Sequence, residues 1–358
     1  MSYTIIDDPS EYFQIALYTG TGSANNSITN DGNSDLQPDW IWFKSRDAGH
    51  SHYVVDSNRG RALGLYPDGT TTEVTSSGST TDCQSFDSDG FTVGTPEDAN
   101  STNSSSSTKV AWQWKAGGGT TSTNNDGDIA STVQVNTTAG FSIVQYNPSN
   151  TTARSIGHGL GVQPQVVIVR ARDRAEDWRV FHRSAGTTGA LTLNGTATYN
   201  SSTVLFTGDS TSTVFKVGTD FSVNGAYNYI AYCFANVQGY SKHGKYVGNG
   251  NTNGTFVYTG FKPRWVMLKE TGNTNSWWMF DTKRDPINSA DARLAANTSD
   301  AEATGSFTNV IDFLSNGFKL RNTDSAWNRS GGTYIYMCFA ENPFVTSDDG
   351  GSIPTTAR

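Results

Sequence analysis

Three stretches of the chain repeat one pattern and decide its fold: LQPDWIWFKSRDAGHSHYVVDSNRG (36–60), VQPQVVIVRARDRAEDWRVFHRSAG (162–186) and FKPRWVMLKETGNTNSWWMFDTKRD (261–285). Each begins with an apolar residue, one spacer and a proline, namely Pro38, Pro164 and Pro263. An apolar run ending in a basic residue follows, then a polar turn and a second apolar run. Because proline is tolerated at the start of a strand, each block predicts a β-hairpin.

The flanking sequence repeats as well. An aromatic-rich run closes each copy: KVAWQWKAG (109–117), NYIAYCFAN (228–236) and TYIYMCFAE (333–341). Turn signals such as SDG and SNG lie between apolar residues, whereas helical periodicity is almost absent. One short helix could form at 289–304. The pattern predicts an all-β protein of three tandem antiparallel β-sandwich domains, of a jelly-roll or lectin-like type.

The spacing of the prolines sets the domain boundaries. A unit of about a hundred residues is long enough to bury its own core, so we expect three domains in tandem rather than one closed array. The predicted division is repeat 1 at 1–117, a Gly/Ser/Thr/Asn-rich linker at 118–127, repeat 2 at 128–237, repeat 3 at 238–345 and a C-terminal tail at 346–358. The junction between repeats 2 and 3 is short, so these two are expected to pack together.

Composition excludes several classes of function. Aromatic residues are 12% of the 358 and charged residues 16%, which is unlike a disordered chain. The net charge of −8 and the lack of a Lys/Arg cluster argue against nucleic-acid binding. We find neither a signal peptide nor an apolar segment long enough to enter a membrane. Cys233 and Cys338 lie in apolar runs and are predicted to be buried thiols. The three cysteines lack CxxC spacing, so no metal site and no cofactor are predicted.

Two polar features near the hairpins are interpreted as structural. His158 lies in SIGHGLGVQPQVVIV (155–169), but the other copies have no histidine there, so it is assigned to a turn rather than to catalysis. Asp56 and Asp281 precede Arg59 and Arg284 by three residues, and repeat 2 has His182 in that place. A carboxylate–guanidinium pair that ties the hairpin to the next loop is preferred over a repeated polar site. No catalytic residues are predicted.

Tryptophans suggest a binding surface. Adjacent Trp277 and Trp278 should point to opposite faces of a strand, so one of them should be partly exposed or buried against a neighbouring domain or subunit. Packing is the preferred interpretation, and stacking on sugar rings is the alternative. The candidate residues for binding a carbohydrate or a partner are Trp265, Trp277, Trp278, Asp281, Trp327 and Asn328, while Asn275 could add hydrogen bonds.

The chain resembles a group of virion proteins of tailed bacteriophages, especially marine phages, that are described as tail, tail-fibre or appendage proteins. The resemblance rests on IIDDPSEYFQIALYTGTG, ITNDGNSDLQPDWIWFKSRD, SFDSDGFTVG, SIGHGLGVQPQVVIV and CFAENPFV, and it covers essentially the whole chain. It implies a structural protein with lectin-like β-sandwich domains on the particle surface, and it carries over no catalytic residue.

The predicted function is therefore a tail-fibre or appendage subunit that helps to attach the virion to its host. A capsid decoration or projection protein is the alternative, and a polysaccharide-degrading enzyme is a weaker one because it would need a pair of carboxylates in one groove. Expected partners are other virion proteins and, as a further candidate, a host surface glycan. A homo-oligomer is expected, with a trimer as the default.

Overall fold

The protein is described by a computed structural model that covers residues 3–78, 80–96, 102–149, 152–305 and 309–346, so most of the predicted C-terminal tail lies outside the described residues. The described chain is all-β, as predicted, and is built from antiparallel sheets. Among its described residues, repeat 1 contains a 3₁₀ turn, Pro9–Glu11, and nine strands: β1 (Phe13–Thr19), β2 (Asn26–Thr29), β3 (Trp40–Ser45), β4 (Tyr53–Asp56), β5 (Leu63–Gly64), β6 (Val74–Thr75), β7 (Cys83–Asp87), β8 (Gly90–Val93) and β9 (Thr108–Trp114).

Repeats 2 and 3 follow the same plan. Repeat 2 contains β10 (Ser122–Asn124), β11 (Ser131–Asn136), β12 (Phe141–Tyr146), β13 (Arg154–Gly157), β14 (Val166–Ala171), β15 (Arg179–His182), β16 (Leu191–Thr192), β17 (Val214–Val217) and β18 (Tyr229–Phe234). Repeat 3 contains β19 (Ser241–Val247), β20 (Phe256–Tyr258), β21 (Phe261–Glu270), β22 (Trp278–Asp281), β23 (Leu294–Ala295), β24 (Ile311–Leu314), β25 (Gly317–Leu320) and β26 (Thr333–Pro343). The quoted hairpins are β3–β4, β14–β15 and β21–β22.

Each repeat is a sandwich of a main sheet and a smaller sheet. The main sheets have the orders β1-β9-β3-β4, β10-β11-β12-β18-β14-β15-β16 and β19-β26-β21-β22-β23. The smaller sheets are β2-β8-β7, β13-β17 and β20-β25-β24. A separate apolar cluster fills each sandwich and includes Phe91 in repeat 1, Phe215 in repeat 2 and Phe318 in repeat 3.

A fourth apolar cluster joins the three repeats. It is formed by the opposite faces of the three main sheets, and aromatic pairs cross every boundary between repeats. Phe13 and Phe339 stack with ring centroids 5.2 Å apart, Trp40 and Tyr232 stack at 4.4 Å, and Phe234 meets Phe339 edge-on at 5.8 Å. The three main sheets therefore surround one shared interior, although the number of domains remains a prediction.

Two local predictions need correction. The predicted linker at 118–127 contains β10, which extends the main sheet of repeat 2 by pairing with β11. Its first residues are held because the Asp39 carboxylate accepts hydrogen bonds from Gly118 N (2.9 Å) and Gly119 N (3.0 Å). The segment 289–304 contains β23 instead of a helix, since Arg293 pairs with Ala303 and Ala290 with Ile311 in isolated β-bridges.

Candidate functional site

The basic residue near the end of the first strand of each hairpin binds backbone carbonyls of a neighbouring repeat. Lys44, Arg170 and Lys269 are all buried, at 0–1% exposure. The inter-repeat bonds run from Lys44 Nζ to Ser299 O (3.0 Å), from Arg170 Nη2 to Thr70 O (2.6 Å) and Thr71 O (2.7 Å), and from Lys269 Nζ to Thr196 O (3.3 Å). Repeat 1 thus contacts repeat 3, repeat 2 contacts repeat 1, and repeat 3 contacts repeat 2.

The residue that leads into the second strand of each hairpin contacts the same neighbour. A ring N–H donates to a carbonyl: His52 Nε2 to Ala295 O (3.0 Å), Trp178 Nε1 to Tyr66 O (2.8 Å) and Trp277 Nε1 to Thr192 O (2.8 Å). The histidine tautomer follows from Trp42 Nε1, which donates to His52 Nδ1 and leaves Nε2 as the donor. Trp277 is therefore buried against repeat 2, while Trp278 stays partly exposed.

The last residue of the second strand contacts the other neighbour. Asp56 Oδ2 accepts from the Tyr232 hydroxyl (2.7 Å), His182 Nε2 donates to Tyr336 O (3.1 Å), and Asp281 Oδ2 accepts from Trp112 Nε1 (3.1 Å). These bonds join repeat 1 to 2, 2 to 3, and 3 back to 1. Each hairpin is thus tied to both neighbours, and the three repeats close into a ring.

Buried ion pairs reinforce two of the three boundaries. Arg59 Nε bonds Asp56 at 2.6 Å and Arg284 Nε bonds Asp281 at 2.5 Å, with all four side chains fully buried. Glu73 then links Arg59 to Arg172, and Glu302 links Arg284 to Arg46. The boundary between repeats 2 and 3 has His182 at the equivalent position. Burial lowers the pKa of this histidine to about 4, so its imidazole is neutral at pH 7.

Glu73 is held ionised by its two arginine partners. Burial alone would raise the pKa of Glu73, but the hydrogen bond from Arg172 and the charge and hydrogen bond of Arg59 lower it overall. An ionised carboxylate saturated by guanidinium groups accepts hydrogen bonds but cannot donate a proton. Glu73 and its arginine partners therefore stabilise the closed ring of repeats.

His158 lies in the turn predicted from the sequence. Its side chain is buried, Leu160 N donates to Nδ1 (3.1 Å), and Nε2 donates to Thr211 O (3.2 Å). Gly159 and Gly161 have φ of 73° and 72°, which glycine adopts without strain. The histidine joins this turn to the loop that leads into β17.

Five of the six predicted binding residues lie inside the protein. Their side chains cannot stack on a sugar or contact a partner without opening the fold, because their exposure is between 0% and 1%: Trp265, Trp277, Asp281, Trp327 and Asn328. The sixth, Trp278, packs edge-on against Trp327 at 5.9 Å. Asn275 is engaged by Glu270 and Ser325. A binding surface must therefore be formed by other residues.

The outer face of the small sheet of repeat 3 exposes two aromatic rings. Phe256 and Tyr258 are 44% and 50% exposed and flank the buried Val257 in β20. Residues two apart on a strand lie about 7 Å from each other on one face. Lys319 pairs directly with Phe256 across the sheet, and the Lys242 amine lies 5.1 Å from the centre of the Tyr258 ring.

Comparison of the three repeats singles out this face. In the small sheets, Ile28 pairs with Phe91, Ile156 with Phe215 and Val257 with Phe318, which fixes the equivalent positions. The residues on either side are Ser27 and Thr29 in repeat 1, Ser155 and Gly157 in repeat 2, and Phe256 and Tyr258 in repeat 3. Small residues therefore serve the fold at these positions, and the exposed rings of repeat 3 are additional to it.

A pocket of about 520 Å³ continues this face at the far end of β25. Thr252, Asn253, Asn309, Arg321 and Asn322 line it. Lys319 Nζ donates to Asn253 Oδ1 (2.5 Å), which joins the pocket to the aromatic pair. Together, Phe256, Tyr258, Lys319 and the pocket residues are called the repeat-3 face. Its lining offers amide, hydroxyl and guanidinium groups, which are hydrogen-bonding groups typical of a binding site.

Two of the buried residues predicted to bind a ligand, Trp327 and Asn328, support this pocket from below. Trp327 Nε1 donates to Asn322 Oδ1, and Asn328 Nδ2 donates to Asn322 O (2.7 Å) and Asn251 O (2.9 Å). Asn103 and Asn224 make corresponding buried bonds in repeats 1 and 2, so Asn328 belongs to a repeated structural clamp. A Cβ on Gly254 would lie 2.2 Å from Leu320 O, so only glycine lets this loop approach β25.

Comparison with known families gives a single assignment. A family model described as a domain of unknown function, DUF7483, matches residues 8–343. The chain belongs to the DUF7483 family. Because the match spans all three repeats, the DUF7483 unit corresponds to the closed ring rather than to one sandwich. No curated protein and no solved structure matches the chain.

Among the described residues, no helix has the length and hydropathy to span a bilayer. Within the same residues, no group of three or more His, Cys, Asp or Glu side chains is arranged to hold a metal ion. All three cysteines are buried free thiols.

Proposed function

We propose that the chain is a recognition module on a tailed-phage virion, carried by a tail fibre or appendage, which contacts the host through the repeat-3 face. The observation that carries this proposal is the exposed pair Phe256 and Tyr258, at positions where the other repeats have serine, threonine or glycine. Exposed aromatic rings beside convergent polar groups are typical of recognition surfaces. The phage assignment itself rests on the resemblance described above.

The ring supports a role in presentation. Three sandwiches that share one interior hold the repeat-3 face on a rigid base, and strands position a site more firmly than isolated loops do. The trimer expected from the sequence remains a prediction. Because the three repeats already close within one chain, a trimer would have to form through their outer surfaces.

Capsid decoration is the second candidate. The cyclic arrangement of three similar repeats favours it, since one chain of this kind matches a threefold position on a shell. Gold-labelled antibodies on intact particles separate the two candidates. Label at the tail tip is expected, label over the capsid would favour decoration, and particles without label would refute both.

A further inference from the structure

We propose that the repeat-3 face binds an acidic oligosaccharide. This inference rests on the proposed recognition function and names the ligand class of the same surface. Phe256 and Tyr258 would stack on sugar rings, and the pocket would hydrogen-bond the hydroxyl and carboxylate groups of the next residues of the ligand.

The shape of the face fits a chain of rings. The two exposed aromatic residues lie in line along β20, and the pocket opens beyond Lys319 on the neighbouring strand. Tyr3 extends the aromatic row at the other end, where its hydroxyl donates to Gly260 O (2.5 Å) beside the Tyr258 ring. A row of rings that ends in a polar pocket suits an extended polyhydroxy ligand, since aromatic side chains combine an apolar face with a polar edge.

The charge of the face favours a carboxylate-bearing ligand. Lys242, Lys319 and Arg321 lie along it, and Asp312 is the acid that pairs with Arg321, at 3.3 Å. The chain as a whole carries a net charge of −8, so this concentration of basic residues is local. A guanidinium group recognises carboxylates through its fork of N–H donors.

Two pocket residues, Arg321 and Asn322, each have a side-chain donor without an acceptor among the described residues. The Oδ1 atom of Asn322 accepts from Trp327 Nε1 and from Asp324 N, which fixes the amide so that Nδ2 is its free end. Within the part of the chain that the structure describes, neither Asn322 Nδ2 nor Arg321 Nε has a hydrogen-bond acceptor. Both residues line the pocket, so a ligand there would contact their side chains.

Titration calorimetry with the full chain tests the proposal. The probes are hexasaccharides of mannuronate, galacturonate and hyaluronan, each beside its methyl-esterified form, with an oligothymidylate as a third arm. Binding of at least one acidic hexasaccharide, weaker for its ester and weaker at high salt, is expected. Binding of the oligothymidylate alone, equal binding of acid and ester, or no binding of any acidic member would overturn it.

Two variants locate the site and a third serves as a control. F256S/Y258T introduces the repeat-1 residues, so it should fold and should bind about tenfold more weakly or worse. K319Q should reduce the preference for the acid over its ester. Phe221 of repeat 2 is 45% exposed, and F221S should bind normally. Unchanged binding by F256S/Y258T would refute the assignment of the site.

The ligand and the proposed function can fail separately. If F256S/Y258T loses the acidic hexasaccharide but still blocks adsorption of particles to host cells, the ligand assignment holds and host recognition fails. If the variant no longer blocks adsorption while wild-type protein ignores every acidic hexasaccharide, recognition holds and the ligand class is wrong.

Discussion

Replacement of Asp281 with alanine should destabilise the whole ring. The buried carboxylate accepts from Arg284 Nε (2.5 Å), Arg284 N (2.8 Å) and Trp112 Nε1 (3.1 Å), so its loss removes the bond from repeat 3 to repeat 1. Arg284 would remain buried with Glu302 and a carbonyl as its partners. Breaking a buried pair in this way costs about 3–5 kcal/mol.

The size of the melting shift reports on cooperativity. If all 358 residues unfold together, the unfolding entropy predicts a fall of about 4–7 °C in a single calorimetric transition. If repeat 3 unfolds alone, the same free energy spread over about 108 residues predicts a fall of about 13–22 °C in one of several transitions. Because the repeats share an interior, we expect the smaller shift and one transition.

The double variant D281A/R284M separates charge from packing. Methionine removes the guanidinium that has lost Asp281 and keeps an apolar stem over the Trp112 ring, which lies 5.5 Å from the Arg284 guanidinium in the wild type. Replacing both members of a buried pair costs less than removing one. The double variant should therefore melt above D281A. Separate transitions, or a double variant less stable than D281A, would refute the closed ring held by this pair.

Three further predictions follow from particular side chains. Burial lowers the pKa of His182 to about 4 and that of His243 to about 3, so only the unfolded chain takes up these protons as the pH falls below 6.5. The free energy of unfolding should therefore decrease between pH 6.5 and pH 4, by about 3 kcal/mol for His182. The melting temperature of H182Q should depend less steeply on pH than that of the wild type. Equal pH slopes for H182Q and the wild type would contradict this. In denaturant titrations, K269M should lower the free energy of unfolding by about 1–3 kcal/mol because it leaves carbonyls of Thr196, Glu270 and Asn273 unpaired. The control F221S should change it by less than about 0.5 kcal/mol. A K269M variant as stable as the wild type would exclude these carbonyl contacts as a stabilising element. N328A and N103A should lose similar stability. Only N328A should weaken ligand binding, because Asn328 holds the loop that carries Asn253. Equal ligand binding by the two variants would contradict this supporting role of Asn328.

The sequence predicted the strands better than it predicted how the three main sheets pack against one another. The prolines, turns and apolar runs place the three hairpins correctly. The shared interior could not be predicted in this way because β3, β14 and β18 are buried on both faces. Their runs WIWFKS, VVIVRA and YIAYCF lack the polar alternation that would assign a face to each residue.

The candidate site was missed for a related reason. Tryptophan has the largest apolar ring and therefore often fills an interior, and five of the six residues predicted to bind a ligand are buried. The sequence signal for the repeat-3 face is that repeat 3 has FVY (256–258) where repeats 1 and 2 have SIT (27–29) and SIG (155–157). Exposed aromatics at positions where sister repeats have small residues would have indicated it.

Binding of purified protein to host cells tests the central claim most directly. Fluorescently labelled wild-type protein and F221S should bind cells and block adsorption of particles, while F256S/Y258T, with an unchanged melting temperature, should do neither. Cell binding by F256S/Y258T equal to that of the wild type would contradict recognition through the repeat-3 face.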